Sequence, residues 1–467
     1  MGRVRHLHMV GIGGIGMSSI AEVLIDRGYQ ISGSDLNKGP VTAHLETLGA
    51  TIHEGHAAEN IEGADVVVYS SAVTPEENPE TAEAQRRLIP IIKRAEMLGE
   101  LMRAKRGVGI AGTHGKTTTT TMVGLVAQQA GLDPTIIVGG KVAVFGSNAV
   151  AGGGDLIVIE ADEYDRTFLK LTPIHAVVTN IEEDHLDIYR DLDDIKDAFV
   201  QYANSVPFFG AAILCLDDEN VRSVLGRITR RVVTYGTSRQ ATLRAENIEQ
   251  VAATTHFDVV LEGERLGGVV LHAPGLHNVR NAMAAIAVGL EIDLDFPTIA
   301  AGIAQYTGVD RRFEVKGGGT VPTGGGDVLV VDDYAHHPTE VEATLQAAAT
   351  GWPDRRVVAV FQPHLYSRTR DLAEEFARAF YDADVLVITD VFPAREKPIE
   401  GITGELIAEK ARAYGHRDVH YIQNKLDLPN ALRMLTRPND LVVTMGAGDV
   451  YRYGEAFLSD LEPAEVQ

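Results

Sequence analysis

Short apolar runs recur along the chain, each stopping at a glycine or a polar cluster and then giving way to a stretch with helical apolar spacing. His6–Val10, Tyr29–Ser32, Val66–Ser70, Val108–Ile110, Leu156–Ile159, His175–Thr179, Ala212–Leu216 and Val232–Tyr235 are such runs, followed later by Val328–Val331, Val357–Gln362, Val385–Thr389 and Leu441–Thr444. Helical patterning falls between them, at Met17–Arg27, Leu98–Arg106, Thr121–Ala130 and Thr339–Ala349. Continuous apolar strands alternating with helices predict α/β units with parallel sheets. Residues 241–273 differ. There apolar and polar positions alternate, as in Phe257–Leu261 and Gly268–Leu271, which predicts a small antiparallel sheet added to the middle of the chain. The glycines at 317–319 and 324–326 predict a loop.

At 467 residues the chain has room for about three domains of roughly 150 residues each. We place them at residues 1–98, 99–312 and 313–467. The count of 42 Lys+Arg against 65 Asp+Glu leaves a formal net charge of −23, which argues against a broad nucleic-acid-binding face but allows a small basic pocket. Cys215 is the only cysteine, so no intrachain disulfide framework exists, as in a reducing compartment. It lies in the apolar run Ala211–Leu216 and reads as a packed strand residue rather than a nucleophile. The basic start Met1–His8 runs straight into a strand, without the features of a secretory signal. No stretch approaches the ~20 apolar residues of a membrane span. A soluble, cytoplasmic protein is expected.

Chemistry enters at the ends of the strands. Val108–Ile110 leads into Gly112-Thr113-His114-Gly115-Lys116-Thr117-Thr118, and a helix follows. Strand, glycine turn and helix in this order turn backbone N–H groups towards an anion. Lys116 then balances the terminal phosphates of a nucleotide triphosphate, and the Thr117 hydroxyl sits on a magnesium ion. The usual first glycine position is Ile110, so the motif is the shorter Gly-x-x-Gly-Lys-Thr form. The plainer alternative, a solvated turn before an ordinary helix, gives the Lys-Thr pair nothing to do. Leu156–Ile159 delivers Glu160, and His175–Thr179 runs into Asn180–Asp187 with His185 inside it. Alone, Glu160 reads as a helix-capping acid and His185 as a turn histidine. Two such clusters at strand ends, beside a phosphate-binding turn, suggest a metal role for each.

Earlier in the chain, Gly11, Gly13 and Gly16 follow the first strand with dinucleotide-fingerprint spacing, and Asp35 ends the next one. A diphosphate could rest there, with Asp35 on a ribose hydroxyl. Close strand–helix packing is the structural alternative for these glycines.

In this order and spacing, Gly11–Gly16, Gly112–Thr120, Glu160–Glu163, Asn180–Asp187, His277–Asn281, Gly308–Phe313, Asp332–Glu340 and Gln362–Leu372 resemble the Mur ligase family over essentially the full length. The resemblance implies a Rossmann-like, UDP-sugar-binding first domain, a central P-loop-type ATPase domain and a Rossmann-like third domain. It implies ATP-dependent amide formation between the lactyl carboxylate of UDP-N-acetylmuramate and the amino group of L-alanine, with no nucleic-acid or membrane partner.

On this resemblance Gly13, Gly14 and Gly16 hold the UDP diphosphate, so the NAD that the fingerprint suggests is not expected. Asp35, His56 and Ser71 help hold the sugar nucleotide. Residues Gly112–Thr118 grip ATP, and Asn281, Arg312 and Asp333 match family positions that contact it. Lys116 acts with two magnesium ions, one near Thr117 and Glu160, the other near His185. His336 orients or deprotonates alanine, and Arg368 faces an anionic intermediate or the alanine carboxylate. Arg370 could share that role or form a surface salt bridge.

The sequence departs from relatives at two places. Phe199-Val200 stand where several of them use a carbamoylated lysine for the second metal, and Leu365 stands where some have arginine. Three rivals are a ligase adding a recycled tripeptide to the same sugar nucleotide, an NAD-dependent oxidoreductase and a regulatory protein that uses ATP as a switch.

Overall fold

The computed structural model describes residues 3–463 except 71, 143, 144, 146, 186, 187, 321–326 and 395. Among these residues three sheets follow one another in sequence. The first contains β1 (His6–Val10), β2 (Gln30–Asp35), β3 (Thr51–Glu54), β4 (Val66–Tyr69) and β5 (Ile91–Lys93), in the spatial order β3-β2-β1-β4-β5. Every pairing in it is parallel.

The second sheet contains, among the described residues, β6 (Arg106–Ala111), β7 (Thr135–Val142), β8 (Ser147–Val150), β9 (Leu156–Glu160), β10 (His175–Val178), β11 (Ala211–Cys215), β12 (Val232–Gly236), β13 (Leu243–Val251), β14 (Thr254–Leu261) and β15 (Glu264–Leu271). Their order is β15-β14-β13-β12-β11-β10-β6-β9-β7-β8. The third holds β16 (Glu314–Thr320), β17 (Asp327–Asp333), β18 (Arg356–Phe361), β19 (Val385–Thr389), β20 (Val419–Ile422), β21 (Asp440–Met445) and β22 (Glu462–Pro463), ordered β20-β19-β18-β21-β17-β16-β22.

By backbone contacts the chain forms two compact units. One comprises residues 1–247, 257–269 and 280–306, the other residues 248–256, 270–279 and 307–467. Within the first, a single apolar cluster runs from Leu7 and Met9 through Met97 and Leu101 to Ile159, Phe168 and Val178, so the first two sheets share a core. Polar contacts reinforce it: Asn148 Nδ2 donates to Ile15 O at 2.8 Å and Ser147 Oγ to Glu22 at 2.9 Å. Gly99 lies so close to Lys170 that a Cβ would sit 2.7 Å from the Lys170 carbonyl oxygen. In the second unit, alternate residues of β17, β18, β19 and β21 enter two different clusters. Val331, Ala359, Leu386 and Val443 lie in one, Val330, Val358, Val387 and Val442 in the other. A sheet covered on both faces explains why these strands read as unbroken apolar runs.

Several boundaries differ from the sequence reading. The helix expected over Leu98–Arg106 spans Arg94–Arg103, and Arg106 already belongs to β6. The alternating segment 241–273 forms no separate sheet, because β13–β15 continue the central one. Gly317–Gly319 lie in β16, antiparallel to β17, and a bulge between Val315 and Gly317 takes up the left-handed φ of +137° at Gly317. Residues 324–326 fall outside the described part. The third sheet is therefore mixed, with β16 and β22 antiparallel at one edge. Cys215 is buried in β11, where burial pushes its thiol up to about 11, as suits a packed residue. Among the described residues no helix is long and apolar enough to cross a membrane.

Candidate active site

Strand β6 carries the site because of its neighbours. It pairs in parallel with β10 on one side and β9 on the other, setting Ala111 beside Val178 and Ile110 beside Glu160. The turn Gly112–Gly115 thus leaves the sheet between the two polar strand ends singled out in the sequence. Helix Lys116–Gln129 begins there with no side-chain cap and no acid in its first turn, and a helix start of this kind suits an anion.

The turn is braced by the segment after β10. Asn180 Oδ1 accepts the His114 N–H at 2.8 Å, Thr179 Oγ1 donates to His114 O at 2.6 Å, and the Glu182 N–H donates to Thr113 Oγ1 at 2.9 Å. The His114 ring lies 3.4 Å from the Glu182 carboxylate. Gly112 has φ +138°, and a Cβ there would collide with Thr179 Oγ1; at Gly115, φ +81°, it would collide with Asn281 Oδ1. Asn281 also accepts from Thr119 Oγ1 at 3.2 Å, so it lies against the start of the helix. Gly112→Ala combines backbone strain with a steric clash, and we expect it to lower stability by about 2–4 kcal/mol, read by urea unfolding.

Lys116 folds back over the turn. Its Nζ donates to Gly112 O at 2.7 Å, Thr113 O at 3.1 Å and the Glu163 carboxylate at 2.8 Å. Burial works against the cation, but Glu163, Asp162 and Glu160 outweigh it and raise the lysine above its ordinary value. Burial likewise opposes the Glu163 anion, yet Lys116 and His185 hold it below the usual range, so the pair is ionised.

Thr117 Oγ1 donates to Glu160 Oε2 at 2.9 Å, and the same oxygen takes the Gly139 N–H at 2.7 Å. Burial raises Glu160. His185, at φ +56°, sets Nε2 at 3.7 Å from Glu163 and lies edge-on to Tyr164. Burial lowers that imidazole, but Glu163 and Asp184 more than reverse the effect. Glu163 Oε2 is buried without a hydrogen-bond partner among the described residues. Thr117 with Glu160, and Glu163 with His185, form two neighbouring pairs of donor groups of the kind a divalent cation accepts.

Sequence reasoning singled out Lys116, Thr117, Glu160 and His185, and the fold brings them together. It gave Glu163 no role, although Glu163 is the side chain that joins Lys116 to His185. The only signal was its place three residues after Glu160.

In the first sheet, Gly14 precedes helix Ile15–Asp26, which again has no side-chain cap and no acid in its first turn. Gly13 N–H donates to Asp35 Oδ2 at 2.9 Å, so one oxygen of this acid braces the glycine turn. A Cβ on Gly13 would lie 2.8 Å from that oxygen, and one on Gly16 would lie 2.7 Å from Arg94 Nη1. Ser71 lies outside the described residues.

His56 follows β3 and belongs to a polar network centred on the fully buried Glu80. Its Nδ1 is 2.9 Å from Ser34 Oγ and 3.3 Å from Glu80 Oε2. Ser34 Oγ donates to Glu80 at 2.5 Å, and Asn60 Nδ2 donates to the other carboxylate oxygen at 2.6 Å. His8 Nε2 approaches within 3.5 Å, while its Nδ1 meets Ser32 Oγ, which also meets His6. Burial alone would push Glu80 up, yet these donors hold it at about 2. A depressed acid stabilises the fold above its unfolded value and loses that contribution as pH falls through the folded one. The stability gap between wild type and Glu80→Gln should therefore be full at pH 6 and shrink from about pH 4.5 towards 2, measured by urea unfolding at several pH values.

The second unit holds the remaining predicted residues. Buried Asp333 ends β17 and accepts the N–H groups of Phe313 and Ala335, both at 2.8 Å; burial pushes it up to about 6. Arg312 lies 3.5 Å from Glu340 and over the Tyr334 ring at 5.4 Å. Arg311, unremarked in the sequence, bonds Asp332, Gly446 O and Gly448 O and ties β17 to the turn after β21. His336 directs Nδ1 at Tyr334 O, 2.9 Å away, with Glu340 at 3.2 Å. In the neutral ring this fixes the proton on Nδ1 and leaves Nε2 basic. Arg368 is half-buried on helix Tyr366–Asp371, whereas Arg370 is exposed and paired with Asp371 at 2.7 Å, the salt-bridge alternative. Leu365 stands before this helix with φ +68°.

Family models match the chain in three consecutive parts: "Mur ligase family, catalytic domain" over residues 6–106, "Mur ligase middle domain" over 110–289 and "Mur ligase, glutamate ligase domain" over 311–448. A UDP-N-acetylmuramate–L-alanine ligase of Salinibacter ruber is 64% identical over 99% of this chain and 96% of its own length. One from Geobacter sulfurreducens is 53% identical over 99% of both chains. Among solved structures, the UDP-N-acetylmuramate–alanine ligase of Thermotoga maritima is 29% identical, covers 98% of this chain and 99% of its own, and has a TM-score of 0.77. A murein peptide ligase of Psychrobacter arcticus is 25% identical over 99% of this chain and 100% of its own, with a TM-score of 0.67.

Proposed function

The chain belongs to the Mur ligase family, and we propose that it couples ATP hydrolysis to amide formation between the lactyl carboxylate of UDP-N-acetylmuramate and L-alanine. The observation that carries the ATPase half is Lys116, half-buried over a braced glycine turn and paired with Glu163, which also faces His185. Alanine rather than a tripeptide is the acceptor, as in the relatives that share half or more of the sequence.

A carboxylate is a poor acyl donor, so the terminal phosphoryl group passes to it first and the amine then displaces phosphate. The first step brings several negative charges together, and the protein's task is to position and neutralise them. Lys116 turns from Glu163 to the terminal phosphates. Magnesium, as two ions in our reading, would be held by Thr117 and Glu160 and by Glu163 and His185, and when bound it neutralises charge between phosphate and carboxylate. Asn281, Arg312 and Asp333 hold the rest of ATP, while Gly13, Gly14, Gly16, Asp35, His56 and Ser71 hold the sugar nucleotide. In the second step alanine must lose a proton. His336, its Nδ1–H tied to Tyr334 O, offers Nε2 to take it. Arg368 binds the alanine carboxylate or the anionic intermediate with its planar fork.

The test is ADP release with each acceptor omitted in turn. ADP should appear at the full rate only with both UDP-N-acetylmuramate and L-alanine. Release without the sugar nucleotide, or faster turnover with a tripeptide than with alanine, would overturn the assignment.

A further inference from the structure

Glu80 lies on helix Pro79–Arg86, has no solvent exposure, and is absent from every role given above. Two side-chain donors bond it, and two imidazoles lie close by. One carboxylate oxygen takes the Asn60 amide at 2.6 Å, the other takes the Ser34 hydroxyl at 2.5 Å and faces His56 Nδ1 at 3.3 Å and His8 Nε2 at 3.5 Å. Ser34 has a single hydroxyl proton, and it goes to Glu80. Its oxygen can then meet His56 only as an acceptor, so His56 Nδ1 must carry a proton for the 2.9 Å contact. In the neutral imidazole the proton is then missing from Nε2. His56 directly follows Gly55 (φ +74°) at the end of β3, next to the end of β2, on the edge where open α/β sheets bind ligands.

We propose that Glu80 is a positioning residue, fixing the His56 ring as an acceptor at Nε2 that receives an N–H or O–H of the uridine, from uracil N3 or a ribose hydroxyl. This rests on the reading of His56 as a sugar-nucleotide contact. A buried carboxylate does this better than a neutral group, because it accepts from every side and never presents a donor to Ser34. Behind the carboxylate lies His8, 3.5 Å away, itself linked through Ser32 to His6.

The first measurement is the tautomer of His56 in the whole protein at pH 8, read from long-range ¹H–¹⁵N correlations and assigned by their loss in His56→Phe. We expect Nδ1–H with a bare Nε2; an Nε2–H ring in the wild type would overturn the proposal without any Glu80 variant. The second is kinetic. Glu80→Ala should lose the single tautomer and raise KM for UDP-N-acetylmuramate about tenfold, the size of one lost hydrogen bond, with kcat and KM for ATP nearly unchanged. Adding it to His56→Phe should raise KM no further, and additive effects would contradict the coupling.

The third measurement needs no Glu80 variant. N3-methyluridine and 2′- or 3′-deoxyribose forms of UDP, titrated calorimetrically, identify the donor. One of them should bind wild type about tenfold more weakly than UDP yet bind His56→Phe as UDP does. If none is discriminated, the proposal is wrong. Tautomer and UDP affinity are read without turnover, so an enzyme that binds UDP but does not ligate would count against the function, not against the role of Glu80.

Discussion

Lys116→Ala is expected to make product at least about 10³-fold more slowly than wild type, the scale seen when a charge that meets a transferring phosphoryl group is removed. The loss should fall on kcat, since the lysine matters most as charge shifts between oxygens. A second consequence follows from Glu163, which lies 2.8 Å from Lys116 Nζ and is almost fully buried. Without the lysine, burial is no longer outweighed, and the carboxyl is driven above its ordinary range. An acid whose folded pKa is raised costs stability as pH rises above its unfolded value. Lys116→Ala should thus be less stable than wild type at pH 8 and closer to it at pH 5. Lys116→Ala combined with Glu163→Gln should regain stability at pH 8 without regaining activity. If the double variant recovered turnover, Lys116 would be a structural counter-ion and not part of the chemistry.

Glu160→Ala is expected to cost about 10²-fold or more in turnover. Its carboxylate links three things: the Thr117 hydroxyl at 2.9 Å, the Gly139 N–H at 2.7 Å and the end of β9. Removing it leaves Thr117 without this partner and takes one anionic oxygen from the set that suits a divalent cation. Binding of Mn²⁺ together with a non-hydrolysable ATP analogue, followed by electron paramagnetic resonance, should weaken in parallel. Thr117→Val should weaken it in the same direction and less, because a neutral hydroxyl contributes less than a carboxylate. Unchanged manganese binding in Glu160→Ala would remove this residue from the metal site.

What could be read in advance was whatever is written locally. The β6 run, the glycine turn and the Lys-Thr pair form one contiguous signal, and the structure sets them as strand, turn and helix. Glu160 and His185 were legible as residues that follow strands, and their placement on either side of the glycine turn follows from β9 and β10 flanking β6. The glycines at 317–319 misled because a glycine run has no side-chain pattern; pairing with β17, a tertiary fact, makes them a strand. Likewise the alternation over 241–273 signals strands but not which sheet they join. Glu163 and Glu80 were invisible as partners for a related reason. A lone acid in sequence is by default solvated, and only the fold puts one against Lys116 and the other against His8, Ser34 and His56. Asp35 illustrates the reverse: the acid read for a ribose spends one oxygen on its own glycine turn.

The central claim is that the terminal phosphoryl group of ATP is transferred to the lactyl carboxylate before alanine attacks. The most direct measurement uses UDP-N-acetylmuramate labelled with ¹⁸O in that carboxylate, with the released phosphate analysed by mass spectrometry after a single turnover. The account predicts one ¹⁸O atom in each inorganic phosphate and one retained in the new amide carbonyl. Phosphate free of label, or label found in AMP, would contradict it.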